Sequence, residues 1–130
     1  MHIFPKDFHM TNMPVKMIWN LWYFGNGALH IYPYKLVKER KQFYDLPGKR
    51  DKELYSKASK VVCYIEDMAR NLGLLGQSND ISSFSRVESD SLFDIIFYDV
   101  VENLYPEGDY CDRIYDLTYT ALYNRITKKV

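Results

Sequence analysis

Residues 51–73, DKELYSKASKVVCYIEDMARNLG, constrain the fold more than any other part of the chain. Leu54, Ala58, Val61, Val62, Ile65, Met68, Ala69 and Leu72 recur at the i, i+3, i+4 spacing of a helix with one buried stripe. Asp51 suits the N-cap and Gly73 the residue just past the C-terminus, so both ends are punctuated. At about 1.5 Å per residue such a helix is on the order of 30 Å long, enough to cross a small domain. It reads as a central helix on which the others pack. Its first half is basic, through Lys52, Lys57 and Lys60 after Lys49 and Arg50.

The rest of the chain supplies the partners. Residues 1–12 read as an extended lead-in anchored by Ile3, Phe4 and Phe8. Pro14 starts a first helix over 14–24, with Met17, Ile18, Trp19, Leu21 and Trp22 on its apolar face, and Gly25-Asn26-Gly27 ends it. The two tryptophans read as core. A shorter basic helix follows over about 34–44, with Leu36, Val37, Phe43 and Tyr44 inward, and Leu46-Pro47-Gly48 turns the chain into the long helix. Residues 74–88 form a linker that lies on the protein through Leu74, Leu75, Ile81 and Phe84. Ser89 caps a fourth helix with Leu92, Phe93, Ile96, Phe97, Val100, Val101 and Leu104 on one face. Asp109 opens a fifth, running to about Lys128 and burying Cys111, Ile114, Thr118, Ala121 and Leu122. A short turn between the last two predicts an antiparallel hairpin. No segment alternates long enough for a strand. The expectation is one all-α domain of about five helices: a three-helix half (11–73) and a helical hairpin (89–128).

Charge divides the chain along the same line. Between residues 35 and 60 there are nine Lys/Arg against four Asp/Glu, while between 88 and 116 there are nine acids against Arg113 alone. The formal net charge is zero, so the molecule has a basic end and an acidic end. Only the basic end could meet phosphate. No apolar run approaches the roughly 20 residues of a membrane span, and MHIFPKDF lacks a basic-then-apolar signal pattern. No membrane association is expected, and an intracellular location is. Cys63 and Cys111 read as small buried hydrophobes of a reducing compartment, with a disulfide or metal site as the other reading.

No catalytic constellation stands out. His2, His9 and His30 fall in no zinc spacing, and no phosphate-binding glycine loop is present. Asp109, Asp112 and Asp116 read as dipole-matched acids at a helix start, since the glycine and terminal glutamate of a calcium loop are missing. The chain is expected to be neither an enzyme nor a holder of metal or cofactor. The basic block carries the strongest functional signal. Lys38, Arg40, Lys41, Lys49, Arg50, Lys52, Lys57 and Lys60 lie on a helix, a turn and a second helix, and Lys and Arg supply most nucleic-acid affinity by neutralising phosphates. Tyr55 would stack or hydrogen-bond beside them. The other reading is an ordinary solvated face. In the acidic half, Tyr115, Tyr119 and Tyr123 recur at i+4. They read either as the far side of the core or as an exposed stripe for a protein partner or a second copy.

Trp19-Asn20-Leu21-Trp22 followed by Gly25 resembles the W-x-x-W…G opening of the DNA-binding domain at the C-terminus of yeast glycolytic-gene activators, which also accompanies the tyrosine recombinases of Crypton transposons. Residues 55–65, with Tyr55, Lys57, Lys60, Val61, Val62, Tyr64 and Ile65, are similar to that family's basic, tyrosine-bearing helix. The resemblance covers about residues 11–70 and departs from the family pattern at Leu21, Ala58 and Ser59. It implies a DNA-binding module of transcription or transposition and a nuclear location. The rival expectation is a helical protein-interaction or dimerisation module without nucleic acid.

Overall fold

The computed structural model describes residues 3–42, 46–76, 81–107 and 113–128. Its helices are α1 (Val15–Phe24), α2 (Leu36–Glu39), α3 (Lys49–Asn71), α4 (Arg86–Leu104) and α5 (Tyr119–Lys128), with 3-10 turns at Gly27–Leu29, Ile81–Ser83 and Ile114–Asp116. The described residues form five α-helices and no strand, the all-α architecture that the patterning predicts.

α3 is the axis. Leu54, Ala58, Val61, Val62, Ile65 and Ala69 are buried along it as expected, whereas Leu72 is 47% exposed. The helix begins at Lys49, with Gly48 at the N-cap, so Asp51 is not its cap. Asp51 instead lies buried in the first turn. Its carboxylate accepts the Met10 backbone N–H and sits 3.3 Å from His9 Nδ1, which fastens the lead-in to α3. At the far end Gly73 adopts φ +75, with Gly73 N–H on Arg70 O and Leu74 N–H on Ala69 O, a left-handed close that glycine tolerates.

α1 crosses α3 and α4 through its tryptophans. Trp19 packs on Phe93 with ring centroids 5.4 Å apart, and Trp22 packs on Tyr55 at 5.1 Å. Both tryptophans are core residues, as read. Met17 is not, being 55% exposed. Gly25 ends α1 at φ +66, where a Cβ would stand 2.4 Å from Ile31 O; the backbone doubles back too closely for any side chain. The lead-in folds over this turn, with Phe4 and Phe8 stacked at 4.0 Å and both edge-on to Tyr34.

α2 is shorter than its pattern suggests. Val37 is its one buried residue, and the positions one turn on are Arg40 and Lys41, so the apolar stripe has no continuation. Lys41 turns left-handed at φ 56. Phe43 and Tyr44 lie outside the described residues. The described parts of the linker lie on the protein through buried Leu75 and Ile81 and partly buried Phe84, whereas Leu74 is 42% exposed.

α4 is capped by Ser85, not Ser89. Ser85 Oγ accepts the Glu88 N–H, and Glu88 Oε1 accepts the Ser85 N–H, which satisfies two end groups at once. Ser89 faces the core and accepts Trp19 Nε1–H at 2.9 Å. The seven apolar residues expected inward on α4 are all buried.

α5 starts at Tyr119, one helical stretch later than expected. Leu117 is extended, its carbonyl accepting the Val15 N–H at 2.9 Å, while the Tyr119 N–H reaches Met13 O at 3.1 Å. The starts of α1 and α5 therefore satisfy each other's free N–H groups. Asp109, Cys111 and Asp112 lie outside the described residues. α5 makes the most extensive helix pair of the fold with α3, and α4 packs on α3 and α1. The expected hairpin is thus spread across the central helix. Its two arms meet through Arg125, which donates to Leu104 O and Glu107 and lies 4.6 Å from the Tyr105 ring centroid.

Candidate nucleic-acid interface

With about 3.6 residues per turn, the buried stripe of α3 fixes what faces outward. Lys49, Lys52, Ser56 and Lys60 fall in one row opposite it, with Lys57 beside them; Lys49 and Lys60 are exposed, Lys52 and Lys57 half-buried. From Lys49 to Lys60 the row spans about 16 Å. Glu53 is the carboxylate within it. Past Lys60 the helix changes sign: Glu66 and Asp67 appear, and Arg70 pairs with them at 3.2 and 3.7 Å. Positive charge is therefore concentrated on the N-terminal half of α3.

The surroundings sharpen this concentration. Among the described residues no carboxylate stands within 4.0 Å of the Lys49, Lys57 or Lys60 ammonium. Lys49 and Arg50 occupy the first turn of a 23-residue helix whose N-cap offers no side-chain bond. They sit at the positive end of the macrodipole, a placement that disfavours cations and favours anions. Arg50 is exposed and close enough to act on the Tyr119 phenol. Lys57 Nζ and Lys60 Nζ lie 5.5 and 5.6 Å from the Tyr123 ring centroid.

Of the remaining residues singled out in the sequence, Lys38 lies alongside α3, close enough for its charge to act on Cys63. Arg40 and Lys41 are exposed where the chain leaves α2. Tyr55 is on the wrong side. It is fully buried, its hydroxyl donates to Tyr34 O at 2.6 Å, and burial pushes its phenol pKa up. It braces α2 against α3 and cannot reach a ligand on the outer face. Cys63 is exposed, not a buried hydrophobe; neighbouring atoms still desolvate the thiol enough to raise its pKa against the pull of Lys38.

The tyrosine stripe does not form. Tyr119 is fully buried, donating to Thr11 O at 2.9 Å. Tyr115 belongs to the preceding 3-10 turn and donates to Asp94 Oδ1 at 3.0 Å, while Tyr123 lies at the lysines of α3. The start of α5 at Tyr119 takes Tyr115 off the helix and breaks the i+4 register.

The outward face of α4 is the surface that the pattern did not single out. Val87, Ile95 and Tyr98 are 75%, 57% and 51% exposed, and Asp94, Asp99 and Glu102 lie among them. Asp94 accepts from Lys16 Nζ at 2.9 Å, and Lys16 stands 5.3 Å from the Tyr115 ring centroid. Burial alone would lower the Lys16 pKa, but the hydrogen bond and the charges of Asp94 and Asp90 outweigh it and raise it. The signal was in the residues left over once the inward stripe of α4 was assigned.

Among the described residues no group of three or more His, Cys, Asp or Glu could hold a metal ion, and no helix is long and apolar enough to cross a membrane. Comparison with protein-family models, curated proteins and solved structures returned no match.

Proposed function

We propose that the outward face of α3 binds the backbone of duplex DNA, with Lys49, Lys52, Lys57 and Lys60 as its principal phosphate contacts and Arg50 and Lys38 at its edges. The observation that carries this reading is the row of lysines on one solvent face, with Lys49, Lys57 and Lys60 beyond ion-pair reach of any described carboxylate. Each phosphate so neutralised releases counterions, so binding is steeply salt-dependent. The acidic outer face of α4 is repelled by phosphate and orients the molecule. The resemblance of residues 11–70 would suit a role in transcription or transposition. The test is fluorescence anisotropy with a random-sequence duplex at low and physiological salt, beside a Lys49/Arg50/Lys52/Lys57→Ala variant. Salt-sensitive binding that the variant loses supports the reading; no binding at low salt overturns it.

A second reading is favoured by the exposed Val87, Ile95 and Tyr98 among acids on α4. In it the occupant of that face is a second copy of the chain, offering the lysines of its own α3 to Asp94, Asp99 and Glu102. Charge complementarity selects this pairing, because two α4 faces would oppose like charges. Sedimentation velocity decides: self-association at low salt that salt dissolves and Ile95→Lys abolishes supports it, and a monomer at low salt and high concentration overturns it.

A further inference from the structure

We propose that Lys57, Lys60 and Tyr123 form a phosphate clamp, in which an aromatic ring from α5 holds two ammonium groups of α3 ready for one phosphodiester. This rests on the reading of α3 as the backbone-binding face and assigns that face a specific ligand site and a positioning residue. The two lysines are three residues apart on α3, and Tyr123 comes from a helix more than sixty residues further along the chain. Their Nζ atoms nonetheless converge on one ring, at 5.5 and 5.6 Å from its centroid. Two positive charges drawn to the same ring repel each other, and no described carboxylate stands within 4.0 Å of either. The ring quadrupole attracts each ammonium without neutralising it. What the pair lacks among the described residues is a negative partner.

A phosphodiester supplies it. Each ammonium has three N–H donors and can direct those not spent on the ring face toward a phosphate oxygen. The ring has a second consequence. Lysine loses considerable rotamer freedom when it closes on a ligand, and a side chain already held against an aromatic face loses less. Tyr123 therefore acts through the lysines and not by touching the ligand. Its half-buried seat is fixed by α5, which packs on α3 more extensively than any other helix does. In this arrangement α5, which carries little positive charge beside the row, still sharpens binding on α3.

The test compares wild type, Tyr123→Phe, Tyr123→Leu, Lys57→Ala/Lys60→Ala, and Tyr123→Leu in that double-alanine background. Each is titrated onto a labelled duplex from about 50 to 200 mM salt. The clamp predicts that Tyr123→Phe binds as wild type, because the ring is kept. Tyr123→Leu weakens binding about fivefold. The alanine pair weakens it further and lowers the slope of log K against log salt by just under about two. In the alanine background Tyr123→Leu adds nothing, since there is no lysine left to position. A Tyr123→Leu variant that binds as wild type, or that loses as much without the lysines as with them, overturns the clamp and leaves the DNA-binding reading standing. A wild-type protein that ignores DNA overturns that reading. The clamp is then judged on wild type alone by NMR titration with inorganic tripolyphosphate. Joint shifts of the Lys57 and Lys60 side-chain methylenes and the Tyr123 ring protons support it, and their absence overturns it whether or not any variant folds.

Discussion

α3 and α4 bury stripes of similar make-up and present opposite chemistry to solvent. On α3 the inward Leu54, Val61, Val62 and Ile65 leave Lys49, Lys52, Lys57 and Lys60 outside. On α4 the inward Leu92, Phe93, Ile96 and Phe97 leave Val87, Ile95 and Tyr98 outside, with Asp94, Asp99 and Glu102 between them. The helix starts differ as well. α4 closes its first turn with Ser85 and Glu88, whereas α3 has no side-chain cap and carries Lys49 and Arg50 there. A chain selected only to bury a core has no reason to place cations at the positive end of a helix dipole, or to leave three large apolar groups on one exposed face. Each face departs from what stability alone favours. The charges of the two faces have opposite sign, which is why a net charge of zero conceals them.

The largest expected effect breaks this comparison on the α3 side. Changing Lys49, Lys52, Lys57 and Lys60 to Ala lowers duplex affinity by on the order of 100-fold at physiological salt and flattens the salt slope by between about three and four. Thermal stability changes by no more than about 2 kcal/mol, since each of these exposed or half-buried surface lysines contributes about 0.5 kcal/mol or less. The matched change on α4, Ile95→Ser with Tyr98→Ser, leaves duplex affinity within about twofold. Equal losses from the two variants would mean that the faces are not chemically distinct.

Trp19 sharpens the comparison because it lies behind the α4 face and not behind the lysine row of α3. It packs on Phe93 of α4, and its Nε1–H is held by Ser89 at 2.9 Å. Trp19→Phe keeps a ring and leaves the buried Ser89 hydroxyl without that donor. The expected loss is about 2 kcal/mol, read as a melting temperature lower by about 4 °C for each kcal/mol. Below the new melting point, duplex affinity is retained, because the lysine row belongs to α3 alone. A smaller effect belongs to the α4 face: Ile95→Ser with Tyr98→Ser alters stability by about 0.5 kcal/mol or less, and in the second-copy reading it removes salt-sensitive association in sedimentation.

What could be read in the residues beforehand divides by distance along the chain. The long apolar stripe of α3 and the seven inward residues of α4 are local periodicities, and they specify those two helices without tertiary help. The Ser85–Glu88 box is also local, but Ser89 stands nearer the start of the apolar run and competes with it as a cap on sequence grounds. The start of α5 was not local. It is set by backbone bonds from Val15 to Leu117 and from Tyr119 to Met13, between segments a hundred residues apart. The side of α3 that Tyr55 takes was ambiguous, because a tyrosine suits a core edge and a wet face equally. The convergence of Tyr123 on Lys57 and Lys60 depends on how α5 docks, so spacing alone leaves Tyr123 open between the far side of the core and a partner surface.

The smallest expected effect concerns pH and contrasts the two helix starts. The Ser85 backbone N–H, and then the Ser85 hydroxyl, hold the Glu88 carboxyl below its ordinary value of 4.5. A carboxylate with a lowered folded pKa stabilises the fold fully above its unfolded value, and that contribution is lost as the pH falls through the folded one. Acidification below 4.5 therefore loosens the first turn of α4, seen as lower protection of the Ser85 and Glu88 amides relative to their intrinsic exchange rate at each pH. Glu88→Gln keeps an acceptor but has no proton to gain, so protection at its α4 start is alike on both sides of that range. The N-cap of α3 is Gly48, which offers no side-chain bond, so that helix start has no counterpart of the Ser85–Glu88 box. A variant whose α4 start still loosens with acid would place the sensitivity outside the cap.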